Sequence, residues 1–241
     1  MKALIFAAGL GTRLRPITDS IPKALVPVGG VPMLQRVICK LRDAGLGPFV
    51  VNTHHFAEKI ASFLEENGNF GTELSLSPEP DGPLETGGGI RRAAPLLGKG
   101  RFLVHNVDIL SNLDIQWLLS KDRPGSLATL VLTETEADRY LLFDEGMRLV
   151  GWTNVRTGEV KSPFHDFEPG KYRRYSFCGI HIISSEVFPM MEAWPEKFSI
   201  IDFYLKAAAT HPIYGVVAAD LKLIDIGSPE KLAEADALFL K

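Results

Sequence analysis

Residues 3–16 read Ala3-Leu4-Ile5-Phe6-Ala7-Ala8-Gly9-Leu10-Gly11-Thr12-Arg13-Leu14-Arg15-Pro16. An unbroken apolar run that ends in glycines suits a strand buried on both faces of a parallel sheet. The chain then alternates. Met33 to Ala44 spaces Leu34, Val37, Ile38 and Leu41 as one face of a helix, with Gly45 as its stop. Phe49–Val51 is a second expected strand, Ala57–Glu66 a second amphipathic helix, and Thr72–Ser77 an alternating strand. Gly89–Leu97 is an expected helix and Arg101–Val104 a fourth strand. Strands alternating with helices predict an α/β fold, a mostly parallel sheet flanked by helices. Right-handed crossovers put the strand-to-helix loops on the carboxyl edge, where such sheets bind ligands.

The second half reads differently. Leu127–Leu132, Arg139–Phe143, Leu149–Trp152 and Tyr175–Ile183 are expected strands, followed by helices at Glu186–Met191 and Ile200–Ala209. Strands at Ile213–Val217 and Lys222–Ile224 precede a last helix, Pro229–Phe239, for which Ser228 is the expected N-cap. No composition shift marks a linker. A single domain over residues 1–241 is expected, in two halves, 1–125 and 126–241.

Composition is that of a globular protein, 46% hydrophobic and 23% charged. A net charge of −3 gives no reason to expect a nucleic-acid partner. Cys39 and Cys178 show no thiolate zinc spacing and are expected as reduced core cysteines. The apolar stretch at the N-terminus is short and runs into Thr12-Arg13 without a cleavage site, and no stretch suits a membrane span. A cytoplasmic monomer or small homo-oligomer is the expectation.

The loop after the first strand admits three readings. A P-loop would need Gly-Lys-Ser or Gly-Lys-Thr, which the chain lacks, and a dinucleotide fingerprint would need a small residue where Leu14 stands. A plain turn would not call for Arg13 or for Lys23, which lies in Pro22-Lys23-Ala24-Leu25-Val26-Pro27-Val28. Glycines free their N–H groups for phosphate oxygens, and Arg13 adds a fork of donors. The prolines stiffen the extended segment and so position the Lys23 ammonium.

Ala-Ala-Gly-x-Gly-Thr-Arg-Leu-x-Pro followed by Pro-Lys-Ala-Leu-x-Pro resembles the signature of the sugar-1-phosphate nucleotidyltransferases. The resemblance implies the nucleotide-diphospho-sugar transferase fold, Rossmann-like with a smaller mixed sugar-binding portion, residues 1–125 being mainly nucleotide-binding and 126–241 mainly sugar-phosphate-binding. It implies an enzyme joining a nucleoside triphosphate to a sugar 1-phosphate with release of pyrophosphate. By it, Ala8, Gly9, Gly11, Thr12 and Arg13 hold the triphosphate, and Lys23 offsets charge on the reacting phosphates. Leu84-Glu85-Thr86-Gly87-Gly88-Gly89-Ile90 would form a backbone shelf under the base, with Gly88 in contact and Glu79 as a partner. This form resembles the uridylyltransferases that act on N-acetylmuramate 1-phosphate, so UTP is the expected nucleotide and cell-wall precursor synthesis the expected setting.

Asp108 ends Leu103-Val104-His105-Asn106-Val107-Asp108, where the family usually has Gly in place of Val107. Asp225 lies in Asp225-Ile226-Gly227-Ser228-Pro229, similar to the family's Asp-Ile-Gly-Thr-Pro. The resemblance pairs these aspartates as ligands of Mg²⁺, which takes few carboxylates besides substrate phosphates. The attacking phosphate is already largely dianionic at neutral pH, so no general base is expected. On the acceptor side the resemblance implies Gly179, in Phe177-Cys178-Gly179-Ile180, with Asn106. Glu168, in a cluster with Lys171, Arg173 and Arg174, is the further candidate for the sugar phosphate. Asn52, His54 and His55 are expected as loop structure or cleft lining. The alternatives are a mannose- or heptose-1-phosphate guanylyltransferase and a non-catalytic nucleotide-sugar-binding protein. The chain ends soon after its last helix, so no appended acyltransferase domain is expected.

Overall fold

The computed structural model describes residues 1–239. Strand β1 (Lys2–Phe6) lies at the centre of a ten-stranded sheet. A hairpin of β2 (Pro27–Val28) and β3 (Val31–Pro32) leads into α1 (Met33–Asp43). Then come β4 (Phe49–Thr53), α2 (Ala57–Glu66), β5 (Leu74–Pro78), α3 (Glu85–Arg92), α4 (Ala94–Leu97) and β6 (Arg101–Asn106). Strands β6, β1, β4 and β5 are neighbours in that order and all parallel, as the alternation predicts. The apolar runs split by parity. Ala3, Ile5, Phe49, Val51 and Leu103 pack on one face, and Leu4, Val50, Phe102 and Val104 on the other, so each strand serves two cores.

The chain continues through β7 (Ile109–Ser111), α5 (Ile115–Lys121), β8 (Ala128–Thr133), β9 (Arg139–Phe143), β10 (Leu149–Asn154) and β11 (Glu159–Lys161). It ends with β12 (Arg173–Ser184), α6 (Val187–Met191), α7 (Ile200–Ala207), β13 (Ile213–Val217), β14 (Leu223–Asp225) and α8 (Pro229–Phe239). Strand β12 joins the two halves. Its end, Ile180–Ser184, runs antiparallel to β6, while its start, Arg173–Tyr175, pairs with β9. The irregularity between Phe177 and His181 surrounds Gly179, whose φ of +73° is left-handed and suits glycine. Strands β9, β10 and β11 thereby form an antiparallel extension of the sheet. Among the described residues no helix is long and apolar enough to cross a membrane.

Several elements depart from the expectations, among them the short strands β2, β3 and β11, where no strand is expected. Strand β7 and helix α5, the latter capped by Asp114 accepting the N–H groups of Gln116 and Trp117, escape the periodicity because they are so short. The helix expected from Gly89 begins at Glu85, so Gly87, Gly88 and Gly89 are buried helical residues rather than a turn. They permit close packing. A Cβ on Gly87 would lie 2.3 Å from the Phe198 ring, one on Gly88 2.4 Å from the Glu196 carbonyl oxygen, and one on Gly89 2.8 Å from Glu79 Oε1. The Phe198 carbonyl also accepts the N–H groups of Gly87 and Gly88, at 2.9 and 3.3 Å.

Gly88→Ala should therefore push α3 off the 196–198 segment. Overpacking against backbone costs about 1–3 kcal/mol, which lowers the Tm of a chain this size by roughly 3–10 °C. Thermal unfolding followed by circular dichroism checks this, and an unchanged Tm would contradict the packing.

Candidate active site

The carboxyl ends of β1, β4 and β6 converge on a cavity of about 440 Å³. The loop after β1 forms its floor. The Ala7 and Ala8 N–H groups donate to Asn52 Oδ1, at 2.7 and 3.2 Å, and Asn52 Nδ2 donates to Glu79 Oε1 at 2.8 Å. Glu79 Oε2 accepts the Leu84 N–H at 2.9 Å. The buried Asn52–Glu79 pair thus ties the first strand's exit to β4 and to the start of α3. His54 belongs to the same framework, its Nδ1 lying 2.7 Å from the Glu79 carbonyl oxygen. His55 lies against the Phe56 ring.

Gly9 has nothing within 4 Å of where a Cβ would be, which leaves its backbone open to a ligand. Gly11 adopts φ +64°, and its carbonyl accepts the Thr18 hydroxyl at 2.7 Å and the Leu14 N–H at 2.8 Å. Leu14, which excludes the dinucleotide fingerprint, is fully buried and anchors the turn. Lys23 opens a 3₁₀ turn, Lys23–Leu25, directly after Pro22. Only 9% of it is exposed, and its ammonium makes an ion pair with Asp108 Oδ2. A nearly buried ammonium requires such a partner.

Asp108 and Asp225 come together because β7 starts just after the first and β14 ends at the second. The two strands pair antiparallel with Ile109 opposite Asp225, and Ile226 N–H donates to the Asp108 carbonyl at 2.9 Å. Partial withdrawal from water and then the Asp108 charge raise the Asp225 pKa above its ordinary value, while Lys23 and Arg13 pull it down. Two carboxylates that repel each other beside an open cavity form a donor set suited to a divalent cation. Gly227 makes room for Arg13, since a Cβ there would sit 2.9 Å from its Nη2. Val107, the family's glycine position, is buried and lines the cavity, and its N–H donates to the Phe6 carbonyl at 3.1 Å.

Ala8, Gly9, Gly11, Thr12, Arg13, Lys23, Glu79, Asn106 and Asp108 all line this cavity, with Asp225 beside it. Gly179 meets it through Asn106, whose Nδ2 lies 2.4 Å from where a Cβ would be. Two expected residues are elsewhere. Gly88 faces Glu196, and the α3 segment instead offers Pro83, Glu85 and Thr86 to the cavity. The Cβ side of Gly88 is thus filled by the Glu196 backbone rather than left open to a base. Glu168 is exposed and pairs at 2.7 Å with Lys171, a solvated surface pair away from both cavities. A second cavity, of about 530 Å³, shares Glu85 with the first and draws on Arg139, Tyr140, Trp152, Asn154, Lys161 and Phe177. Sequence reasoning missed these residues, since they sit on ordinary antiparallel strands with no motif.

Asn52→Ala should leave the Ala7 and Ala8 N–H groups and Glu79 without their partner. Losing a buried partner costs about 1–3 kcal/mol, so Tm should fall by several degrees. If the floor of the cavity holds nucleotide, its affinity should fall as well. Calorimetric unfolding and nucleotide titration check the two effects separately.

The family model described as nucleotidyl transferase matches residues 2–140. An N-acetylmuramate alpha-1-phosphate uridylyltransferase of Neisseria meningitidis is 45% identical over 47% of this chain and 49% of its own, so this match spans about half of that relative. A protein of the same name from Caulobacter vibrioides is 29% identical over 98% of this chain and 95% of its own. The fold matches a putative glucose-1-phosphate thymidylyltransferase from Bacillus anthracis, at a TM-score of 0.82 and 21% identity, covering 100% of this chain and 96% of that one. With its glycine loop, Lys23 and paired aspartates in one cleft, the chain belongs to the nucleotidyl transferase family.

Proposed function

We propose that this protein is a cytoplasmic uridylyltransferase that joins UTP to N-acetylmuramate 1-phosphate, giving the nucleotide-sugar and pyrophosphate. The observation that carries the reading is the meeting of Arg13, Lys23, Asp108 and Asp225 at the mouth of one glycine loop. The near full-length similarity to the Caulobacter uridylyltransferase supports the choice of nucleotide and sugar.

The chemistry is a displacement at the α-phosphorus. An oxygen of the sugar phosphate forms the new P–O bond, and the bond to pyrophosphate breaks. The nucleophile is already ionised, so no residue has to take a proton. The obstacle is repulsion, since a triphosphate of charge about −4 must approach a phosphate of about −2. Arg13 and the open amides around Gly9 would hold the triphosphate in the ground state. Lys23 has three N–H donors, and the one on Asp108 leaves others for phosphate oxygens. Its near-burial fixes the ammonium, so it needs little reorganisation as charge develops. Mg²⁺ is the proposed metal, held by Asp108 and Asp225, and it would supply further neutralisation of the phosphates.

A screen of nucleoside triphosphates against sugar 1-phosphates, read by pyrophosphate release in Mg²⁺, tests the reading. UTP with N-acetylmuramate 1-phosphate should be the fastest pair. A faster reaction of GTP with mannose or heptose 1-phosphate would reassign the substrates, and no release with any pair would overturn the activity.

Lys23→Met keeps most of the apolar stem and should lower kcat by roughly 10²-fold or more with a smaller change in the KM for nucleotide, the scale of losing one preorganised donor. An Arg13 variant should mainly raise that KM. Asp108→Asn should abolish turnover in Mg²⁺ in a folded protein. Steady-state kinetics on the three variants separate these roles.

A further inference from the structure

The second cavity adjoins the first, the two sharing Glu85 in their linings. Tyr140, Trp152 and Phe177 contribute aromatic rings to its lining, with the Lys161 ammonium 5.1 Å from the centre of the Trp152 ring and the Arg174 guanidinium 5.1 Å from that of Tyr140. Its charges are unevenly committed. Lys161 lies 3.1 Å from Asp202 and 3.7 Å from Glu159, so its ammonium already has two carboxylates. Arg139 also lines the cavity, and among the described residues it has no ion pair and no side-chain hydrogen bond. The neighbouring acid does not serve it, because Asp138 pairs with Arg156 at 3.3 Å.

The backbone that presents Arg139 is nonetheless well held. Ala137 N–H donates to the Tyr140 hydroxyl and Val155 N–H to the Asp138 carbonyl, both at 2.8 Å, and Arg139 stands opposite Asn154 in the β9–β10 register. A guanidinium kept free on a fixed strand end is a ready two-point donor.

The geometry points to Arg139 as the residue that reads a carboxylate substituent on the acceptor sugar. A carboxylate fits better than a second phosphate. The cavity already carries Glu85, Glu159 and Asp202 against Arg139 and Lys161, so a monoanion meets about half the repulsion of a dianion. The inference rests on the proposed function and deepens it, since the lactyl ether of N-acetylmuramate supplies such a carboxylate.

The test compares N-acetylmuramate 1-phosphate with N-acetylglucosamine 1-phosphate, which keeps the ring and the acetamide but lacks the lactyl group. Wild type should prefer the former. Arg139→Gln should lose roughly 10- to 100-fold in kcat/KM for it, mostly through KM, as expected for removal of one charge-assisted contact. Turnover of the N-acetylglucosamine compound should stay within about twofold, and Arg139→Lys should recover part of the preference. Arg139 is exposed, so Tm should not move, and an altered Tm would be controlled by comparing only the ratio of the two substrates. If wild type prefers the muramate compound and Arg139→Gln keeps that preference, the role of Arg139 is overturned while the proposed function stands. If wild type turns over only sugars without a carboxylate, both are overturned.

Discussion

The ion pair between Lys23 and Asp108 holds the site together. It joins the proline-stiffened segment after the glycine loop to the end of β6, linking positions 85 residues apart. Asp225, Gly227 and Arg13 follow from these two anchors, while the Asn52–Glu79 pair separately holds the exit of β1. The strand that begins just past Asp108 pairs with β14, which delivers Asp225 and, one turn on, Gly227. Gly227 in turn leaves the space in which the Arg13 guanidinium lies. Partly buried pairs of this kind contribute little net stability, because desolvation offsets most of the attraction. Their retention here is better understood as placement of charge than as reinforcement of the fold.

Glycine does two different jobs within this one site. At Gly11 a left-handed backbone turns the loop and lets Thr18 and Lys23 pack beneath it. At Gly87, Gly88 and Gly89 the backbone is helical, and the missing side chains let α3 press against Phe198, Glu196 and Glu79. Three glycines in a helix cost about 0.5–1 kcal/mol each relative to alanine. The close approach offsets this by fixing the helix start that offers Glu85 and Thr86 to the cavity. In a bare sequence both uses look alike, and only the neighbours that close around them tell a loop glycine from a packing glycine.

That distinction marks how far the sequence could be read. The parallel half was legible because each strand is a continuous apolar run and each helix has a clear period, and those two signals fix which loops reach the carboxyl edge. That Gly9, Gly11, Arg13 and Lys23 share one cavity was legible because they are concentrated in two short motifs, residues 7–16 and 22–28. The pairing of β7 with β14 was not, since three-residue strands carry no period and their contact spans more than a hundred residues. Glu168 stood out as part of a charged cluster, yet its partner is Lys171 three residues away, the usual fate of such clusters on a surface. Arg139 and Trp152 carried no signal, because their shared place in the second cavity comes from the pairing of β9, β10 and β12, which no local motif announces.

The two ends of the cleft are accordingly built on different principles. The first cavity, the proposed phosphate end, is built on backbone amides, a buried hydrogen-bonded pair and one ion pair, all of which depend on close geometry. Such a site tolerates little change and suits a part of the substrate common to all nucleoside triphosphates. The second cavity, the proposed acceptor end, is lined by side chains on antiparallel strands, where successive residues alternate between faces and a substitution alters the lining without disturbing the ladder. Specificity for the sugar can therefore change residue by residue while the transfer chemistry stays fixed. A free guanidinium at Arg139 is the kind of difference such a wall can carry, because the register that holds the strand does not depend on it.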